Sequence, residues 1–336
     1  MKKRGTWEMG FEVIKPGVLS TLQDEGRYGQ RKYGVITSGP MDLFAHRAAN
    51  ILVGNDGGAA VLEMTLLGPS MVAQKDMLLS LCGADMEVDI DGNRVPFWRP
   101  FLIRKGDQLN VHYAVKGCRA YLAVYGGFEV KPVMGSRSTY LRARIGGHQG
   151  RALQAGDVLP VKQEVVGDNL HYPGSVSAFI RPDYEGNPVV RVVRGKEAAL
   201  FTDASRRNLL AQSYIVTAQS DRMGYRLEGM KLELSDGVPS EMISEAVIQG
   251  TIQVPPSGQP ILLMADCQTT GGYPRIAHVI TADLPLAAQV KPGGKLRFRE
   301  VSHREAQEQI LLQMMDLRLL EAGVRAWVRD RGGFRC

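Results

Sequence analysis

The chain has 336 residues, 44% of them hydrophobic and 23% charged, with 38 glycines and a formal charge of +6. That length favours two domains, the composition is that of a globular protein, and no apolar run nears the roughly 20 residues of a membrane span. The basic N-terminus lacks the apolar stretch of a secretory signal, so a cytoplasmic protein is expected.

Most of the excess charge sits at the two ends. Lys2, Lys3, Arg4 and Glu8 leave the first eight residues at +2, and Arg325, Arg329, Arg331, Arg335 and Asp330 leave the last twelve at +3. The body between them is close to neutral, which argues against a nucleic-acid face.

Taken in order, the chain reads as short alternating strands and turns. Strands are expected over Phe11–Ile14, Leu78–Cys82, Met86–Ile90, Gln108–Ala114 and Tyr121–Tyr125. The first glycine-rich stretch, Thr21-Leu-Gln-Asp-Glu-Gly-Arg, leads to Ser38-Gly-Pro-Met-Asp42. A helix follows over about Met41–Leu52, with Pro40 in its first turn and Gly54 beyond its end. One device occurs three times: Lys105-Gly-Asp, Ala155-Gly-Asp and Pro292-Gly-Gly are tight turns, each feeding an apolar strand.

The proline- and glycine-rich segment Gly167–Pro188 is the expected boundary, dividing a unit over 10–165 from one over 185–300. Helices are expected at Ala204–Ala211, capped by Asp203, and over 302–330, where Ser302 and Glu305 make a capping box. The apolar stripe of the last helix, Ala306, Ile310, Leu317, Leu320 and Val324, is expected to pack on the second unit. The second glycine-rich stretch runs Gln249-Gly-Thr-Ile-Gln-Val-Pro-Pro-Ser-Gly and on to Ala265-Asp-Cys-Gln-Thr-Thr-Gly-Gly-Tyr-Pro274. Cys267 lies within it and reads as a small packed residue rather than a nucleophile.

Several common mechanisms lack their motif. There is no Gly-x-x-x-x-Gly-Lys-Ser/Thr phosphate loop, no Gly-x-Ser-x-Gly elbow and no dinucleotide fingerprint. The histidines show no zinc spacing, and no metal ligands are assigned. What remains is a set of polar residues on glycine-rich turns, where binding surfaces are commonly built.

Five strings occur in one order: Thr-x-Gln-Asp-x-Gly-Arg, Ser-Gly-Pro-Met-Asp, Gly-Ser-Arg-Ser-Thr, Ser-Asp-Arg-Met-Gly-Tyr-Arg-Leu and Gln-Thr-Thr-Gly-Gly-Tyr-Pro. Together they resemble the allophanate hydrolase subunit 2 family, also described as the biotin-dependent carboxyltransferase family or as the C subunits of 5-oxoprolinase. The resemblance covers about residues 11–300, with Thr37 standing where that family's pattern has proline. It implies a mainly β fold of two cyclophilin-like β-barrel domains, with a few short helices and a C-terminal helix.

It also implies function and company. The expected role is that of the C subunit in an ATP-dependent 5-oxoprolinase, inactive or nearly so alone. It would work with an allophanate hydrolase subunit 1 partner (the KipI-like B subunit) and with a lactam-handling A subunit. ATP and Mg2+ are the implied cofactors, and which chain holds them is left open. No Ala-Met-Lys-Met string is present, so no covalently attached biotin is expected. Carboxyl transfer from biotin on another chain, and a KipA-type role against a kinase inhibitor, are the alternatives.

The residue chemistry fits such work. Asp24, Asp42, Glu245 and Asp283 are candidates for metal or proton transfer. Arg27, Arg137, Arg222 and Arg226 are candidates for phosphate or carboxylate, which the guanidinium fork matches. Gln23, Ser38, Asn50, Ser138, Gln268, Thr269, Thr270 and Tyr273 are candidates for orienting the substrate. The competing expectation is that about half of the charged residues pair with one another and pin loops.

Overall fold

The computed structural model describes residues 9–162, 174–184 and 186–330. The basic residues of segments 1–8 and 331–336, and residues 167–173 and 185 of the expected boundary, lie outside the described residues.

The first unit is built from β1 (Met9–Lys15), β2 (Leu19–Gln23), β3 (Val61–Thr65), β4 (Ser70–Ala73), β5 (Met77–Ile90), β6 (Asn93–Arg94), β7 (Pro100–Ile103), β8 (Gln108–Val124) and β9 (Val158–Pro160). Its sheet runs β2-β3-β8-β4-β1-β9, and β5 pairs with β8, β6 and β7. Strands expected as separate pairs are continuous here. Leu78–Cys82 and Met86–Ile90 both belong to β5, and Gln108–Ala114 and the residues from Tyr121 to Val124 both belong to β8. The reason is visible in the pairing of β5 with β8, whose register shifts at Gly83/Asp85, Asp85/Met86 and Met86/Val88. Irregularities of this kind bend a ladder without ending it.

The second unit is a closed barrel, β10-β17-β14-β15-β12-β11-β18, made of β10 (Val189–Arg194), β11 (Ser213–Val216), β12 (Gly224–Glu228), β14 (Thr251–Gln253), β15 (Ile261–Leu263), β17 (Arg275–Val279) and β18 (Lys295–Glu300). Parallel pairing of β10 with β18 closes it. A two-stranded ladder of β13 (Glu245–Ala246) and β16 (Thr270–Gly271) stands apart. Of the two barrels expected, one closes; the first unit curls into a half-barrel. The recurrent turns stand where expected, with Gly106, Gly156 and Gly293 at φ of 95°, 86° and 86° ahead of β8, β9 and β18. These are left-handed values that favour glycine.

Among the described residues, four α-helices complete the fold: α1 (Leu43–Leu52), α2 (Asp203–Ala211), α3 (Leu284–Ala288) and α4 (His303–Asp330). α1 starts two residues later than expected, because Asp42 accepts a hydrogen bond from the Ala45 N–H at 2.9 Å and is its cap. Thr202 rather than Asp203 caps α2. Ser302 accepts from the Glu305 N–H at 3.1 Å, as the capping box predicts.

Each unit has its own apolar core. A third cluster joins Phe44, Ala48 and Leu52 of α1 to Trp98, Tyr121, Val176 and to Leu317 and Val324 of α4. The last helix therefore corrects the expectation that it packs on the second unit alone. Ala306 and Ile310 lie against the barrel, and Leu317 and Val324 lie against α1. Its 28 residues are long enough to cross from one unit to the other. No helix among the described residues is long and apolar enough to cross a membrane.

Leu317 is buried at the seam and Leu319, two residues on, is 70% exposed. Leu317→Ala should lower stability by about 2–4 kcal/mol, and Leu319→Ala should stay within about 0.5 kcal/mol of wild type. Urea midpoints of the two variants give the comparison.

Candidate functional site

Where the two units meet, charged and polar side chains are buried together. Arg222, on the turn before β12, projects into the seam and uses three nitrogens. Its Nε donates to Asp266 at 2.9 Å, its Nη1 to Glu63 of β3, and its Nη2 to the Gly39 carbonyl at 2.5 Å and again to Asp266 at 3.0 Å. Burial opposes the charge on Arg222, but the facing Asp266 and Glu63 outweigh it and hold the guanidinium above its ordinary value. Glu63 also accepts from the Met41 N–H at 2.8 Å and the Tyr121 hydroxyl at 2.9 Å. Ser38 donates its hydroxyl to Asp266 at 2.7 Å, with the Thr139 carbonyl at 3.1 Å.

Gln289, just after α3, completes the seam. Its amide oxygen accepts from the N–H groups of Cys118 and Arg119, both at 2.8 Å, and its nitrogen donates to Asp42 at 2.9 Å. Asp42 also accepts from Tyr184 at 2.7 Å. Burial raises the Asp42 carboxyl above the ordinary value, against the donors from Ala45, Gln289 and Tyr184. Arg119 donates to the Tyr225 hydroxyl at 2.6 Å and the Ala288 carbonyl at 2.5 Å.

A second group lies behind β2. Asp24 accepts from the Ser136 and Ser138 hydroxyls, both at 2.6 Å, and from the N–H groups of Arg137 at 2.5 Å and Gly26 at 3.0 Å. Desolvation pushes its carboxyl up, and the four donors together bring it below the ordinary range. Arg27 is fully buried and donates to the Val133 and Ser138 carbonyls at 2.9 and 2.8 Å. Its Nη1, the Gln23 Oε1 and the His46 Nδ1 are buried with no hydrogen-bond partner among the described residues.

These groups frame a cleft of about 460 Å3 between the units. Its first-unit wall holds Glu25, Tyr28, Arg31, Thr37, Ser38, Pro40 and Met41, with Leu43, Phe44 and Arg47 of α1. The opposite wall holds Ile248, Gln249, Ala265, Cys267 and Thr281, and Ile310, Gln313, Met314 and Leu317 of α4 form a further side. Arg31 spans the two walls, donating to the Val247 carbonyl and to the Thr269 carbonyl at 3.1 Å. Arg47 pairs with Glu25 at 2.6 Å. Cys267 is buried, and desolvation drives its thiol up to about 11, so it is protonated at neutral pH.

The structure thus brings Ser38, Asp42, Arg222 and Thr269 to one seam, with Gln23, Asp24, Arg27, Arg137 and Ser138 packed behind Ser38. It does not bring in the others. Asn50 holds the following loop through the Gly57 and Ala59 carbonyls at 3.3 and 2.8 Å. Glu245 pairs with Lys196 and Arg275 on the surface, at 2.7 and 2.6 Å. Asp283 pairs with Arg191 at 2.5 Å beneath a different hollow. Arg226 is exposed on β12, and Thr270 pairs with Ala246 in the small ladder. Gln268 and Tyr273 are half-buried in the same loop.

Sequence reasoning missed Asp266, Gln289, Arg119, Tyr121 and Arg31 as members of the seam. Asp266 sits inside the second glycine-rich stretch and was legible as its only carboxylate. Gln289 and Arg119 lie in ordinary strand and helix contexts and gave no signal.

Residues 33–300 match the family model of the carboxyltransferase domain, subdomains A and B. The chain belongs to that family. It is 42% identical over 297 residues to the C subunit of 5-oxoprolinase from Haemophilus influenzae, a match covering 88% of this chain and 93% of the relative. The Escherichia coli protein of the same name is 40% identical over the same shares. Among solved structures the chain is similar to the K. lactis urea amidolyase, with a TM-score of 0.88 and 27% identity, aligning 95% of this chain to 20% of that one. The ordered motifs and the comparisons point to the same family.

The four candidate carboxylates do not form a site that fits the magnesium implied by the resemblance. Asp24, Asp42, Glu245 and Asp283 each accept from their own protein donors and stand at separate places. Among the described residues, no three His, Cys, Asp or Glu side chains gather as metal ligands.

Two outcomes follow for the seam. Arg222→Met leaves Glu63 and Asp266 buried without their cation and should cost about 3–5 kcal/mol in urea unfolding. The His46 ring is buried on α1 and desolvation lowers it to about 4. Between pH 6.5 and 4 the unfolded chain takes up a proton that folded His46 refuses, so stability falls as pH falls. At pH 4.5 the loss from this group should reach about 2–3 kcal/mol. Comparing wild type with His46→Gln at pH 7 and 4.5 should show a shallower fall in the variant.

Proposed function

We propose that this chain is the C subunit of an ATP-dependent 5-oxoprolinase, which converts 5-oxo-L-proline to L-glutamate. Its partners in this reading are a B subunit of the allophanate hydrolase subunit 1 type and a lactam-handling A subunit. The carrying observation is that the glycine-rich loops of both units meet at one cleft, in a chain aligned with 93% of a relative named for that enzyme.

A five-membered lactam carries a planar amide and, in this substrate, a carboxylate. Opening it requires charge to move onto the exocyclic carbonyl oxygen, and a nucleotide would supply the driving force when bound. The cleft offers neutral donors and a mixed wall: Ser38, Gln249, Thr281 and Gln313 beside Met41, Phe44, Ile310 and Met314. Such a wall holds a small amide and excludes water from it. ATP and Mg2+ fall to the partner chains in this reading, because the candidate carboxylates Asp24, Asp42, Glu245 and Asp283 are committed to other donors. That commitment supports a chain that is inactive by itself.

Carboxyl transfer has support of its own in the carboxyltransferase family model and the urea amidolyase likeness. With biotin on another chain, the same cleft would receive urea or a similar amide. The deciding assay is glutamate formation from 5-oxo-L-proline with ATP and magnesium. Glutamate should appear when this chain is combined with its B and A partners, and not when any one of the three is left out. An assembled complex that makes no glutamate overturns the proposal and moves the assay to urea.

A further inference from the structure

Buried backbone donors almost always find an acceptor, so a pair that does not marks a place where something else belongs. The loop 37–42 contains such a pair. The Thr37 carbonyl accepts from the Arg27 N–H at 2.6 Å. The Gly39 carbonyl accepts from Arg222, the Met41 N–H donates to Glu63, and the Asp42 N–H donates to Tyr121 at 2.8 Å. Pro40 has no N–H to place. That leaves the N–H of half-buried Thr37 and, on two buried residues in succession, the N–H groups of Ser38 and Gly39, none with a hydrogen-bond partner among the described residues.

Their backbone is unusual as well. Ser38 has φ of 58° and Gly39 has φ of 97°. A left-handed serine is sterically costly and persists where surrounding contacts hold it. Here the Ser38 hydroxyl is held by Asp266 and Thr139. Successive N–H groups in turns of this kind form a concavity that binds anions. Peptide planarity fixes one direction: with the Thr37 carbonyl turned to Arg27, the Ser38 N–H points away from the Gly26–Arg27 turn. Thr37, Ser38 and Pro40 all line the cleft between the units.

We propose that the Ser38 and Gly39 N–H groups form a cradle for an oxygen atom carrying negative charge. Resting on the 5-oxoprolinase reading, its occupant is the exocyclic carbonyl oxygen of the lactam as charge develops on it. The donors are held in place before the ligand arrives, which is the arrangement that stabilises a developing oxyanion most. The Ser38 hydroxyl is then a positioning group, since both its contacts are to the protein.

The test is an amide spectrum of the full chain labelled with 15N-glycine and 15N-serine, free and assembled with its partner subunits. Loss of one peak in Gly39→Ala assigns Gly39; Ser38→Thr, which keeps the hydroxyl, assigns Ser38. Titration uses 5-oxo-L-proline and, separately, formate as the smallest oxyanion probe. Saturable movement of the Ser38 and Gly39 peaks with 5-oxo-L-proline, absent with L-proline, is the expected result. Movement with formate alone supports the cradle and counts against the lactam as its occupant. If neither probe moves these two peaks in either preparation, or L-proline moves them as 5-oxo-L-proline does, the proposal is overturned.

Discussion

The structure turns on the guanidinium of Arg222. Bringing a cation and two carboxylates out of water is expensive, and the attraction between them offsets this only when their donors and acceptors are all matched. Arg222 meets that condition with a planar fork that reaches Asp266, Glu63 and the Gly39 carbonyl at once. A lysine has the charge and lacks the fork. Nearby Arg119 brings a second buried cation, so Arg222 and Arg119 balance Glu63 and Asp266. Because Glu63 comes from one unit and Asp266 from the other, only one docking of the units satisfies the set.

This arrangement decides what chemistry is left over. Carboxylates that seemed suited to holding a metal are spent on architecture: Asp42 caps α1 and receives Gln289 and Tyr184, and Asp24 gathers four donors from two loops. What faces the cleft is mainly neutral, apart from Arg31, which donates to two carbonyls, and the paired Arg47 and Glu25. In the proposed function such a site binds and orients a small amide, and the driving force comes from the partner chains. That division of labour suits one member of a larger enzyme.

The family and the mainly β class were legible because glycine turns and ordered motifs are local signals. Turns such as Ala155-Gly-Asp can be read from three residues, and the structure gives Gly156 its left-handed φ. The competing expectation, that charged residues pair with one another, describes Glu245 and Asp283. The seam was legible only in part. Ser38 and Arg222 stood out on glycine-rich turns, but Gln289 sits at the end of a five-residue helix and bonds to residues 170 positions away in the chain. Nothing in its neighbours announces such a contact. The span of α4 was missed for a similar reason: its apolar stripe shows that a face is buried, and a stripe carries no record of which partner covers each turn.

The loop from Thr37 to Asp42 shows how fold and site depend on each other. Met41 lies in the core of the second unit although its chain belongs to the first, so the loop is anchored by apolar burial across the seam. Polar bonds to Arg27, Arg222, Glu63 and Tyr121 then fix four of its backbone groups, and Asp266 holds the Ser38 hydroxyl. A loop held this tightly cannot turn its remaining donors inward to find protein acceptors. The cost of leaving the Ser38 and Gly39 N–H groups unpaired is therefore carried by the seam, and it is recovered when a ligand oxygen supplies the missing acceptor. Loosening the seam would cost the site its shape before it cost the protein its fold, because each unit keeps a core of its own.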